Sequence, residues 1–156
     1  MSFTIGFSGG KELMEALEEL KPSLRKPVMR RSAQKALVPF LDAVKRMAPV
    51  AEVEGGALRD SYVIGGPSKL TGREKGRARN EMGKVDAVAY AGTSNPAGKL
   101  QEFGTRYQSA QPHARPAWIE TREKVLKSFA DEMWEDIAKT AARAAKRAAK
   151  ARGEAA

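Results

Sequence analysis

The sequence contains no cysteine and a single histidine, His113. The first absence removes disulfides, thiol nucleophiles and thiolate metal sites together. The second removes any metal site built from several imidazoles. Aromatic residues make up only 6% of the chain, against 42% hydrophobic residues overall, so the core is expected to consist of Leu, Val, Ile, Met and Ala. No apolar run approaches the roughly 18 residues that a membrane-spanning helix needs. The opening stretch, MSFTIGFSGGKEL, has no basic region followed by an apolar one, so no signal peptide is expected.

What is present is a chain of 156 residues, the length of one domain or of one domain with an extended arm. It carries 28 basic and 19 acidic residues, a formal charge of +9. That excess favours contact with nucleic acid or with an acidic protein surface and says nothing about the fold.

SFTIGFSGG alternates Phe3, Ile5 and Phe7, the period of a short strand stopping at Gly9 and Gly10. KELMEALEEL then places Leu13, Leu17 and Leu20 at helical spacing, with Pro22 closing the helix. From Pro27 to Met47 a second helix is expected, with Ala33, Leu37, Phe40, Leu41 and Val44 as its buried stripe. Pro27 suits an early helical position. Pro39 lies inside this segment, and the in-phase stripe predicts a kink there and not a break. Residues 48–58 read as a loop tightening at Gly55 and Gly56, and Leu58, Tyr62 and Ile64 as a strand.

Residues 67–81 are polar and glycine-rich, with Lys69, Arg73, Lys75, Arg77 and Arg79 set against Glu74 and Glu81. A second strand follows in KVDAVAYAG, expected to pair antiparallel with the first through this basic loop. Ala97–Phe103 reads as one or two helical turns ended by Gly104, and Pro116 as the opening of the longest helix, reaching about Arg152. Trp118, Ile119, Leu126, Phe129, Met133 and Ile137 are its expected stripe. Beyond Ile137 no large apolar side chain remains, while Lys139, Arg143, Lys146, Arg147 and Lys150 accumulate. The expected fold is therefore α+β: a small antiparallel sheet packed against two N-terminal helices and a long C-terminal helix that projects beyond the core. The expected division is a domain over 1–137 and an Ala/Lys/Arg-rich helical extension over 138–156.

Catalytic chemistry finds little to stand on. GGPSKLTG lacks the spacing of a phosphate-binding loop. His113, in QPHARP, has no sequence-evident nucleophile or orienting partner and reads as shaping the approach to the last helix. Glu102, in LQEFGT, is open to two readings. It could accept backbone N–H groups or pair with an arginine across an interface, with Phe103 as an apolar plug; or it could belong to a simple helix end beside a core phenylalanine. Neither basic region is interleaved with aromatics, so any DNA contact would fall on phosphates, without sequence preference. No cofactor is expected.

Three motifs in order carry a resemblance. MAPV followed by GALRDSY supplies Ala48, Pro49, Gly56, Leu58, Arg59 and Ser61; YAGTSNPAGKLQEFGT supplies Tyr90, Glu102, Phe103, Gly104 and Thr105; QPHARPAW supplies Pro112, Arg115, Pro116 and Ala117. Over about residues 8–135 the chain resembles the minor tail component family of long-tailed, siphophage-like bacteriophages, whose members serve as tail-completion or head–tail neck proteins. His113-Ala114 departs from the apolar or aromatic pair usual between the two prolines, and the arm after Ile137 lies outside the resemblance. The resemblance implies a virion protein without catalytic activity, made in the host cytoplasm. It further implies a homo-oligomeric ring of six or twelve copies around the DNA channel, touching head-closure or connector proteins and tail-terminator or tail-tube proteins, with no membrane. In that setting the 69–79 loop and residues 143–150 are the candidates for contact with DNA or a partner. The rival readings are a non-specific basic DNA-binding accessory protein and a small enzyme, which a pocket bringing Glu102 and His113 together would favour.

Overall fold

A computed structural model describes residues 9–50, 55–66, 75 and 87–153. The chain forms α1 (Gly10–Glu18), α2 (Pro22–Ala36), α3 (Val38–Met47), α4 (Ala57–Asp60), β1 (Val63–Gly65), β2 (Tyr90–Gly92), α5 (Pro96–Phe103) and α6 (Ala114–Gly153). At 40 residues, α6 is about 60 Å long and forms the spine against which the other helices lie.

Packing falls into two clusters strung along that spine. The first joins Leu13, Leu17 and Leu20 to Val28 of α2 and to Met133 and Ile137 of α6. With only nine residues, α1 has no independent stability in water. Its buried leucines supply it, each contributing on the order of 1.5–3 kcal/mol. The second cluster joins Ala43, Val44 and Ala48 at the end of α3 to Leu58, Tyr62 and Ala117. Both α2 and α3 run antiparallel to α6, and polar pairs fix the register: Arg31 and Ser32 both donate to the buried Asp136, Lys35 pairs with Glu132 at 2.6 Å and Arg46 with Glu120 at 2.6 Å.

The expected 27–47 helix differs in detail. Helix α2 begins five residues earlier, with Pro22 at its start, and Pro27 lies in its interior. The helix is interrupted at Leu37, a break where the in-phase stripe predicts a kink, and Pro39 stands at the start of α3, where its missing N–H costs nothing. Leu37 keeps right-handed helical angles and its carbonyl accepts from Leu41 N–H at 2.9 Å, so the interruption is one residue long. The buried face of α2 is Val28, Ser32 and Ala36, while Ala33 and Leu37 are half-buried.

The two strands pair antiparallel, as expected, in the register Val63↔Gly92, Ile64↔Ala91 and Gly65↔Tyr90. They are three residues each, and Leu58, expected in the first strand, belongs to the one-turn helix α4. The N-terminal strand expected over Phe3–Phe7 lies outside the described residues, as does the 67–81 loop apart from Lys75. Among the described residues no helix is long and apolar enough to cross a membrane.

Candidate functional site: the Glu102 corner

The three motifs meet where α5 turns into α6. Asn95 caps α5, its Oδ1 accepting from Ala97 N–H at 3.0 Å, and Pro96 occupies the first position. In the first turn of α5 stands the buried Gly98. A Cβ there would lie 2.6 Å from Thr93 Cγ2 and 3.3 Å from Leu58 Cδ1, so glycine lets α5 close onto the Leu58–Tyr62 turn. Ser61 ties the same turn down: its hydroxyl donates to Leu58 C=O at 2.6 Å and shares a hydrogen bond with the Thr93 hydroxyl.

Helix α5 stops at Gly104, whose φ of 74° and ψ of −178° fall in a region that glycine alone occupies readily. The chain folds back so closely that a Cβ at Gly104 would meet Ala110 N at 2.8 Å and Gln108 O at 2.9 Å. Thr105 pins the return, its Oγ1 accepting from Tyr107 N–H at 3.1 Å and Gln108 N–H at 3.0 Å.

This return brings the start of α6 to Glu102. The carboxylate is buried, at 7% exposure, and takes four hydrogen bonds. Oε2 accepts the backbone N–H groups of His113 and Ala114, both at 2.8 Å. Oε1 accepts the backbone N–H and the Nε–H of Arg115, both at 3.1 Å. The first N–H groups of a helix have no partner within it, and the helix dipole favours a negative charge at that end. Glu102 meets both needs for α6 from eleven residues away. Burial alone pushes its carboxyl upward, but the N–H bonds from His113, Ala114 and Arg115, with the Arg115 side chain, outweigh it and hold the group below the usual carboxylate value.

His113 is 1% exposed, with Nε2 hydrogen-bonded to Tyr62 Oη at 2.7 Å and Nδ1 3.5 Å from Glu102 Oε2. Burial, and secondarily the Glu102 charge, raise the Tyr62 phenol above its usual value. Glu102 and His113 thus do converge, as the enzyme reading requires, but they do so inside a closed network whose donors and acceptors serve the fold. An apolar cleft of about 260 Å³ lies elsewhere, lined by residues including Leu37, Trp118, Leu126 and Phe129. Among the described residues no group of three acidic or histidine side chains is placed to hold a metal.

Of the motif residues, Leu58, Ser61, Glu102, Gly104, Thr105 and Arg115 come together at this corner. Pro49 is half-buried just past α3, Tyr90 is half-buried in β2, and Pro112 and Pro116 are exposed on either side of the α6 start. Arg59 is exposed and pairs with its neighbour Asp60 at 3.1 Å. Phe103 is no core phenylalanine: it is 66% exposed, with the Arg115 guanidinium 4.9 Å from its ring centre. Trp118 and Ile119, expected in the α6 stripe, are 43% and 66% exposed, and Ala117, Thr121 and Val125 take the buried face. Lys75 is exposed, whereas Lys69, Arg73, Arg77 and Arg79 lie outside the described residues. Arg143, Lys146, Arg147 and Lys150 are exposed on α6, far along the helix from the corner.

The sequence reading missed the roles of Tyr62, Thr93 and Gly98. Only Gly98 left a usable signal, since a lone glycine inside a helical pattern commonly marks close packing.

Comparison with protein families matches residues 11–104 to the model described as "Bacteriophage HK97-gp10, putative tail-component". Neither curated proteins nor solved structures gave a match. The matched stretch is well over half of the chain and runs from α1 to the glycine of the Glu102 corner, so the chain belongs to the HK97-gp10-like family of phage tail components.

Proposed function

We propose that this protein is a structural subunit of the phage virion that forms a ring at the head–tail junction or the head-proximal end of the tail, joining tail to head around the DNA channel. The observation that carries the reading is the surface presented by the Glu102 corner. Leu100 is 51% exposed, Phe103 66% and Tyr107 86%, all on or just beyond one rigidly braced turn. Exposed aromatics on a framework locked from behind are suited to contact between proteins. Braced as it is, the turn loses little freedom on binding. In a ring, each subunit presents one surface to a different surface of the next. Head-closure or connector proteins and tail-terminator or tail-tube proteins are the neighbours along the axis.

Native mass spectrometry near 0.15 M salt tests the self-contact, comparing the natural chain with a Phe103→Ser/Tyr107→Asp double variant. A closed ring of six or twelve copies that falls to monomers in the variant supports the reading. Monomers from the natural chain, together with normal particle assembly by the variant, overturn it.

A further inference from the structure

The second half of α6 has a sidedness that its composition does not reveal. Lys139, Arg143, Lys146, Arg147 and Lys150 follow the spacing i, i+4, i+7, i+8, i+11. At 3.6 residues per turn these five positions fall within a sector of roughly 100°. All five are exposed; Lys139 pairs with Glu135 one turn back, and residues 141–150 include no acidic side chain. Away from this stripe, residues 138–150 carry alanine apart from the buried Thr140. Ala144, seven residues beyond the buried Ile137, continues the core-facing side with only a methyl group.

We infer that this stripe is a surface for the phosphate backbone of duplex DNA. Three candidate surfaces compete for a basic helix, and side-chain size separates them. A helix that docks in a protein groove presents large apolar anchors at i, i+3, i+4 and i+7. A helix that lies on a membrane buries bulky residues opposite its lysines. From Ala138 to Lys150 there is neither, since no apolar side chain there exceeds alanine. A polyanion asks only for aligned cations, and duplex DNA presents one charge per about 1.7 Å of its axis. From Lys139 to Lys150 the stripe runs about 16 Å, and a helix of about 10–12 Å diameter fits a major groove about 12 Å wide. Residues 139–150 hold no Asn or Gln to read adenine, so base reading there could come only from Arg143 and Arg147 on guanine, which a comparison of duplexes of unrelated sequence separates from phosphate contact. This inference does not depend on ring formation: a single copy carries the whole stripe.

The test is fluorescence anisotropy of a labelled 30-bp duplex titrated with the full chain between about 50 and 200 mM salt. The comparison is an Arg143→Gln/Lys146→Gln/Arg147→Gln/Lys150→Gln variant, in which glutamine keeps helix propensity; circular dichroism confirms the helix. Four phosphate contacts correspond to a slope of log K on log salt of about −3.6, or about 150-fold weaker binding across that range. The expected result is that the variant loses a slope of this size, that duplexes of unrelated sequence bind alike, and that neutralising Lys69, Arg73, Lys75, Arg77 and Arg79 leaves the stripe's share intact. An unchanged slope in the stripe variant overturns the inference. So does tighter binding of polyglutamate than of DNA through the same four residues, which would mark the arm as a dock for an acidic protein. A ring that forms normally in either case leaves the proposed assembly role standing.

Discussion

Replacing Glu102 by glutamine tests the corner with almost no change of shape. Each carboxylate oxygen receives two donors: the N–H groups of His113 and Ala114 on one, the N–H and Nε–H of Arg115 on the other. Glutamine must put an NH₂ in one of those places, where it faces donors instead of accepting from them. At least two bonds are lost, and the remaining pair loses its charge. Hydrogen bonds to a charged group contribute about 1.5–3 kcal/mol each, and a carboxylate at a helix N-terminus about 0.3–1 kcal/mol. The Arg115 side chain is 64% exposed and turns to water, which recovers part of the loss. The expected destabilisation is roughly 2–4 kcal/mol, or a fall in Tm of roughly 5–15 °C for a chain of this size. Urea unfolding of both proteins measures it, with amide exchange at residues 113–115 reporting the site. The pH dependence supplies a second reading. The folded Glu102 carboxyl lies below its usual 4.5, so its stabilisation is complete above that value and is lost as pH falls through the depressed folded value. Glutamine does not titrate, and His113, Tyr62 and Arg115 are common to both proteins. The stability gap between the two proteins is therefore full at neutral pH and closes on acidification. A gap below about 0.5 kcal/mol at neutral pH, or one that persists undiminished in strong acid, would refute the account of a charge holding the helix start.

Gly104→Ala is expected to cost about 2 kcal/mol or more, because its positive φ and the contacts below 3 Å leave no room for a methyl group; thermal unfolding measures this, with Gly92→Ala, which meets open space, as control. Tyr62→Phe leaves His113 Nε2 buried without its partner and is expected to cost about 1–3 kcal/mol, seen in urea unfolding together with a changed histidine ring resonance. Met133→Ala empties the centre of the first cluster and is expected to cost about 2–5 kcal/mol by denaturant titration, with faster amide exchange in α1 than in α4.

Legibility in the sequence followed how local each cause is. Leu13, Leu17 and Leu20 announce α1 by spacing alone, and all three are buried. Gly104 announces the end of α5 in the same way. An apolar stripe crosses Pro39 and points to a helix interior, but apolar phase cannot distinguish a kink from a one-residue gap. The largest side chains of α6 suggest its stripe. Where α3 and α6 close on each other, however, the interior is built mostly from small residues, Ala43, Val44, Ala48, Ala117 and Thr121, and the bulky Phe40 and Trp118 meet at the flank, ring centres 5.8 Å apart. Tight helix contact selects small residues, and a hydrophobicity pattern undervalues them. Glu102 was legible as unusual, but its partners are mainly backbone N–H groups, which no side-chain pattern encodes. Tyr62 and His113 stand 51 residues apart, beyond the reach of any local pattern.

Because one late helix serves every early one, the order of synthesis matters. The bonds from Arg31, Ser32 and Lys35 to α6 span 97–105 residues of sequence, and that from Arg46 spans 74. As the nascent chain leaves the ribosome, α1, α2 and α3 emerge with their apolar sides uncovered; the partners of α3 follow by about Thr121, and those of α1 and α2 only with Met133 and Ile137. At about 5–20 residues per second this interval lasts some seconds to tens of seconds. Such non-local closure slows folding and leaves the incomplete chain sticky, so the yield of folded protein should respond to chaperone supply more than its modest size suggests.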